Sequence, residues 1–466
     1  MKPFLLLPLC VAAAAPAHAL DPAPWLADLA QARQALDAKY ANLGWLTHDR
    51  GFDLDAAFTR TRERLEAANS DGEARRAFER LFERFHDGHV AVRWPAPAPA
   101  RAEASPRPAP LCQRMGYNAA YLREGTARHL AGYRSLSDDI FPTGMLDVGG
   151  TRVGVIRVGI FMPQGYPALC EQAARDLSIA EGAECDDACS DRLITRAYEL
   201  MTAAFEQRLR ELKQAGAQTL LVDISGNSGG SEWAEAAARV LSRKPLRSAE
   251  LGFVRGEHWA TQWRDVATAL TEARKSAAGA DKAALSGWIA EAEVAAAEAE
   301  RDCSDGACPR LGRAGYATGL VGAAPAAKFA GKPWAVHVFT PAQYGYHDGV
   351  WDGPLVVLVD QETWSAAEEF AAMLQDNGAA VILGARTGGA GCGHTNGGTP
   401  TTLANSKAVL EVPDCVRFRR DGSNEVNGIV PDVVVGLRFD DGAAFKARLI
   451  EAELPEAIAR ASAIAK

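Results

Sequence analysis

Between residues 152 and 412, short apolar runs alternate with stretches of helical period, and that alternation restricts the architectures open to the chain. Strands are expected at 152–160, 219–224, 335–339, 354–359, 380–383 and 408–412. Helices are expected at 193–214, 232–241 and 365–375. Strands that alternate with helices build an α/β core, placed here at 146–440. An Ala/Glu-rich stretch within it carries Trp263, Leu270, Leu285 and Trp288 at helical spacing, so about 257–312 reads as a helical insertion.

At 466 residues the chain is long enough for two or three packed units. Residues 20–93 form an N-terminal helical domain. One apolar stripe runs through Leu26, Leu29, Leu36 and Tyr40, a second through Phe78, Leu81, Phe82 and Phe85. The second helix is expected to stop at Asp87-Gly88, with His89 prolonging its inward face. Residues 94–145 begin with a proline-rich linker, and 441–466 read as a C-terminal helix.

At the amino terminus Lys2, the apolar run Phe4–Ala15 and Ala17-His18-Ala19 have the layout of a secretory signal, so residues 1–19 are expected to be removed and the protein exported to a periplasmic or extracellular space. That run is too short to span a bilayer. Eight cysteines follow, an even number that suits disulfides in an exported chain. Cys303/Cys308 and Cys185/Cys189 are spaced to close small loops. Cys392 and Cys415 lie near the serine turn described next, as candidates to staple it. Connectivity as a whole stays open. A net charge of −9 argues against nucleic acid or an anionic membrane as main partner.

Chemistry concentrates in four patches. Thr363-Trp364-Ser365-Ala366-Ala367-Glu368 follows the apolar run 354–359 and opens a helix. A serine on such a turn sits beside unpaired N–H groups and the positive end of a helix dipole, which suits a nucleophile whose intermediate is an oxyanion. Asp223 to Gly230 ends in paired glycines, which let backbone N–H groups approach a ligand. Asp87-Gly88-His89 offers an imidazole base for an un-ionised serine. Glu425 to Asp432 offers a late carboxylate.

In this order the patches resemble the C-terminal processing (tail-specific) serine peptidases. The nucleophile pattern T-x-S-A-A-E matches Thr363 to Glu368, G-x-x-T-x-G matches Gly384 to Gly389, and D-[LI]-R-x-N-x-G-G is similar to Asp223 to Gly230 with Ser225 in place of arginine. The closing E-G-x-G-[IV]-x-P-D resembles Glu425 to Asp432. The resemblance implies a ClpP/crotonase-type β-α superhelix, a peptide or protein substrate, and neither metal nor organic cofactor. It also implies a subtype. Ala390 stands where many bacterial members carry a catalytic lysine, and no clear PDZ segment is present. Tricorn-core-like and chlamydial protease-like-factor-like members instead take a histidine from D-G-H and a late glutamate. That subtype makes Ser365 the nucleophile, His89 the base and Glu425 its orienting acid, with N–H groups of Gly229, Gly230 and Ala366 as the oxyanion hole.

Three alternatives stay open. His394 replaces His89 as base; Ser228, in the elbow-like Gly226-Asn227-Ser228-Gly229-Gly230, serves an esterase of α/β-hydrolase type; or the chain is a non-catalytic binder of apolar ligands on the same fold.

Overall fold

The computed structural model describes residues 20–96, 109–303 and 308–465. The expected signal segment 1–19, most of the proline-rich stretch and the interior of the Cys303/Cys308 loop lie outside the described residues.

Seven strands form the central sheet, in the order Val433–Val434, Val381–Gly384, Leu355–Val359, Thr219–Asp223, Thr151–Arg157, Thr143–Val148 and Arg134–Ser137. The first five run parallel, and Thr143–Val148 pairs antiparallel with both of its neighbours. Every residue of Thr219–Asp223 and Leu355–Val359 is buried, because helices cover both faces of the parallel part. Alternate side chains serve opposite cores. Leu220, Val222, Val357 and Ile382 pack with helices Pro167–Asp176, Asp187–Gln214, Trp233–Val240 and Ala366–Asp376. Leu221, Val356, Leu358 and Leu383 pack with the C-terminal helix Ala443–Ile464. Among the described residues no helix is long and apolar enough to cross a membrane.

Two expected strands resolve differently. Residues Pro333–His337 form a 3₁₀ helix, since Pro333 lacks an N–H and presets the turn. Val409–Glu411 is a strand, but it joins a separate three-stranded sheet with Ala91–Arg93 and Thr401–Thr402. The stretch after Gly256 is a hairpin of two helices, Glu257–Ser276 and Gly279–Glu300. It packs against a third sheet, formed by Glu250–Val254, Leu311–Tyr316 and Cys415–Phe418.

Helices Ala23–Lys39, Leu54–Glu66 and Asp71–Glu83 carry the two N-terminal stripes inward. Their core is completed by Leu403, Ala408, Leu410 and Val426, more than 300 positions along the chain. Polar contacts fix this docking. The buried Asp28 carboxylate accepts from Asn405 N (2.9 Å), Asn405 Nδ2 (3.0 Å) and Ser406 N (2.8 Å). The third helix ends at Glu83 rather than at Asp87-Gly88, and His86 turns the chain with φ 49°. His89 is therefore aimed by a turn and not by helical periodicity. Replacing Asp28 with Ala breaks three hydrogen bonds from Asn405 and Ser406 to a buried charged group, so the urea unfolding midpoint should fall by the equivalent of about 1–3 kcal/mol. An unchanged midpoint would show that this carboxylate does not hold the two parts together.

Candidate active site

The loops after Asp223, Val359 and Gly384, at the C-terminal ends of neighbouring parallel strands, converge on one place. In the second of them, Asp360 accepts from Gly226 N (2.8 Å) and Glu362 N (3.1 Å), and Thr363 Oγ1 donates to Ile224 O (3.1 Å). The chain then passes through Ser365 at φ 56°, ψ −121°, and the helix begins at Ala366. A non-glycine residue held at positive φ stores roughly 1–3 kcal/mol of strain, which the surrounding hydrogen bonds must hold in place. The result is a sharp turn with the hydroxyl at its tip.

His89 meets that hydroxyl, with Nε2 3.1 Å from Ser365 Oγ. Its Nδ1 lies 2.6 Å from Ala390 O. A carbonyl only accepts, so Nδ1 carries the proton and Nε2 is left as acceptor for the serine O–H. Burial holds the imidazole below its usual pKa, although the Ala390 carbonyl opposes this; Arg417 adds to the lowering. Gly393 lies against the ring, where a Cβ would sit 3.1 Å from Nε2. The backbone of His89 is tied by Asp87, whose carboxylate accepts from His89 N (3.0 Å), Tyr40 Oη (3.0 Å) and Asn42 Nδ2 (2.9 Å). Burial pushes Asp87 up to about 6.

One buried acid connects both halves of the pair. Glu368 Oε2 accepts from Ser365 N (3.0 Å) and Ala390 N (2.7 Å), while Oε1 accepts from Gly389 N (2.8 Å) and Thr387 Oγ1 (2.5 Å). Burial pushes its carboxyl up to about 7 against those donors. The same side chain thus sets the serine turn and the peptide whose carbonyl orients His89. Its sequence signal is the Ser-x-x-Glu spacing at a helix start.

Glu425 occupies a different place from the one expected. It receives the Arg417 guanidinium bidentately, Nε at 2.8 Å and Nη2 at 2.6 Å, and makes no hydrogen bond to His89 or Ser365. Arg417 also donates to Glu369 Oε2 (3.1 Å), Gly391 O (2.8 Å) and Ser365 O (3.4 Å). Glu425 is hydrogen-bonded to this arginine, while its charge also acts on His89 through space and opposes the lowering of the imidazole pKa. A lone Arg417 in the short strand Cys415–Phe418 gave no sequence signal.

Gly229 presses against the serine turn, where a Cβ would lie 2.8 Å from Ser365 Cβ and 3.0 Å from Ala366 N. Its N–H donates to Asn227 Oδ1 (2.8 Å), so this glycine provides space and not the expected donor. The N–H groups of Gly230 and Ala366 have no partner among the described residues. Trp364 lies across Gly388 and Gly88 on the His89 side. His394 stacks edge-on to His89, centroids 6.0 Å apart, with Nε2 buried and unpartnered, and has no hydrogen bond to Ser365. Ser228 is exposed, and among the described residues no histidine bonds to it. Cys392–Cys415 forms a disulfide beside the site, as do Cys112–Cys170, Cys185–Cys189 and Cys303–Cys308 elsewhere.

The sequence profile of peptidase family S41 matches residues 194–435, just over half of the chain. A carboxyl-terminal-processing protease from Picosynechococcus sp. is 36% identical over 93 residues, 18% of this chain and 19% of that protein. The chain thus matches about a fifth of the length of that curated relative. Among solved structures, mature CPAF superposes with a TM-score of 0.60 at 13% identity, covering 95% of this chain and 98% of the other. Mature CPAF complexed with lactacystin gives 0.58 at 14% identity, with the same coverages. At these identities the likeness is one of fold.

Replacing Glu368 with Gln turns an all-acceptor group into one that offers N–H against N–H. The rate at which Ser365 reacts with a fluorophosphonate should fall by about 10², the cost of a nucleophile displaced by roughly 1 Å. Wild-type labelling in a folded Glu368→Gln protein would remove the carboxylate from its positioning role.

Proposed function

The chain belongs to peptidase family S41, and on that premise we propose that it hydrolyses peptide bonds in protein or peptide substrates through an acyl-enzyme on Ser365. The observation that carries this reading is the Nε2–Oγ approach of 3.1 Å with Nδ1 committed to a carbonyl. In that tautomer His89 takes the Ser365 proton as Oγ attacks the scissile carbonyl carbon. The proton then passes from Nε2 to the leaving amine, the C–N bond breaks, and a water activated by the same nitrogen releases the acyl group. The unpartnered N–H groups of Gly230 and Ala366 receive the oxyanion, each donor worth roughly 10²–10³ in rate. Glu425 acts indirectly, by neutralising and orienting Arg417 on the carbonyls of Ser365 and Gly391.

The reading extends to location. Four disulfides among the described residues suit an oxidising compartment. Together with the signal-like residues 1–19 they support an exported, periplasmic or extracellular enzyme.

Ser365→Ala should abolish peptide hydrolysis while leaving the melting temperature nearly unchanged, and His89→Ala should lower kcat by roughly 10²–10⁴. Full activity in either variant would end the proposal.

Acidity supplies a second test. Catalysis needs the un-ionised imidazole, and burial lowers the pKa of His89, so protonation sets in only at a pH below 6.5. Glu368, pushed up to about 7, titrates above it, so the His89 step is read in Glu368→Gln, where the acidic limb of kcat/KM against pH should have its midpoint under 6.5. A midpoint above that value would contradict His89 as the buried base.

A further inference from the structure

A cavity of ≈ 420 Å³ opens beside the nucleophile, with Ser365, Ala366 and Gly230 at its mouth. Neither His89 nor Trp364 is among the described residues that line it. In the proposed reaction the imidazole faces the leaving amine, so a cavity on the side of the oxyanion donors and away from the imidazole lies on the acyl side of the scissile bond.

One of its walls is apolar and aromatic. The first helix of the hairpin, Glu257–Ser276, turns Trp259, Trp263 and Val266 toward the cavity, and Leu251 and Val336 extend the same surface. Its charge is one-sided. Glu369 and Glu232 both line it. Arg417 also reaches it, but all three of its nitrogens are engaged by Glu425, Glu369 and backbone carbonyls. Burial keeps His337, another lining residue, below its usual pKa and so neutral near pH 7.

Glu369 is 5% exposed, and its Oε1 has no hydrogen-bond partner among the described residues, Arg417 being bound at Oε2. Burial holds this carboxyl well above the ordinary range; Arg417 pulls it down, while Glu235, Glu425 and Glu232 push it further up. An added positive charge would relieve that excess of negative charge.

Resting on the serine-peptidase reading, we infer that this cavity receives the substrate side chain immediately before the scissile bond and selects a basic one, lysine or arginine. The methylene stem lies along the Trp263 and Val266 wall, where aromatic faces also favour a cation. The cationic head reaches the free oxygen of Glu369 and the carboxylate of Glu232. An acidic side chain meets two carboxylates and no available cation. A neutral one fills the walls and leaves the charge uncompensated.

Peptidyl diphenyl phosphonates that differ only in carrying arginine, norleucine or glutamate at that position test this on the intact protein. Ser365 Oγ bonds to phosphorus as phenoxide leaves, so labelling rates read the subsite directly. Arginine should react faster than norleucine by roughly tenfold or more, the scale of one hydrogen bond to a charged group, and glutamate should be slowest. The arginine-to-norleucine ratio should fall several-fold in Glu232→Gln, an exposed position, and further in Glu369→Gln. A norleucine rate equal to or above the arginine rate, or a ratio unmoved in folded Glu232→Gln and Glu369→Gln, overturns the inference while leaving the nucleophile intact. Failure of Ser365 to react even with a small fluorophosphonate defeats the peptidase reading, and this inference with it.

Discussion

The Glu368 carboxylate is the constraint on which the rest of the site depends. A buried acid costs several kcal/mol unless its oxygens are satisfied, and here three backbone N–H groups and one hydroxyl satisfy it. Those donors belong to two separate segments, the Ser365 turn and the 387–390 loop. Their shared need for one acceptor fixes the distance between the two segments. Ser365 can then be held at φ 56°, because the neighbouring peptide has a partner that a relaxed turn would lose. Ala390 presents its carbonyl outward because its own N–H is bound from behind.

In the proposed reaction this arrangement does without a lysine at position 390. Gly88 passes so close that a Cβ there would lie 2.9 Å from the Ala390 side chain, so this approach of the two segments depends on glycine at 88. In the proposed reaction the base comes from the N-terminal unit instead, and the 390 segment supplies a carbonyl to it. Around this pair, Glu369 and Glu425 converge on Arg417, so one guanidinium is shared between two buried acids and holds the carbonyls of Ser365 and Gly391 together. Arginine suits that task because its planar fork engages several acceptors at once.

Much of this was readable from residue order. The inner strands, the long helices, the Ser365 turn and Asp87-Gly88-His89 stand out because continuous apolar runs, helical stripes and glycine-bounded turns are local properties. What escaped was set by distant contact. The short strands Glu250–Val254 and Cys415–Phe418 carry too few residues for a period to show, and each is stabilised by a partner far away in sequence. Pro333–His337 shows the converse, an apolar run whose proline prevailed over its strand-like composition. At the site, the types and positions of the acids were legible but not their pairing. Glu425 went to Arg417, and Glu368 did the orienting, because hydrogen-bond geometry decides between two carboxylates that sequence presents as equals. Gly229 likewise looked like a donor, yet Asn227 takes its N–H.

Drawing the imidazole from the N-terminal unit has a consequence for how the site forms. Asp87, which holds His89, is bonded to Tyr40 and Asn42, and Asn42 in turn accepts from Asn424, the neighbour of Glu425. Trp45 donates to Asn427 on the same late turn. Helix packing against Leu403, Leu410 and Val426 buries the apolar part of this contact. The base and the late acid are thus positioned by one interface between the beginning and the end of the chain. A lysine in the 390 loop would be placed by contacts within the core alone. A histidine at 89 reaches Ser365 only when the two ends have docked, so in the proposed reaction Ser365 would be activated by completion of the fold itself.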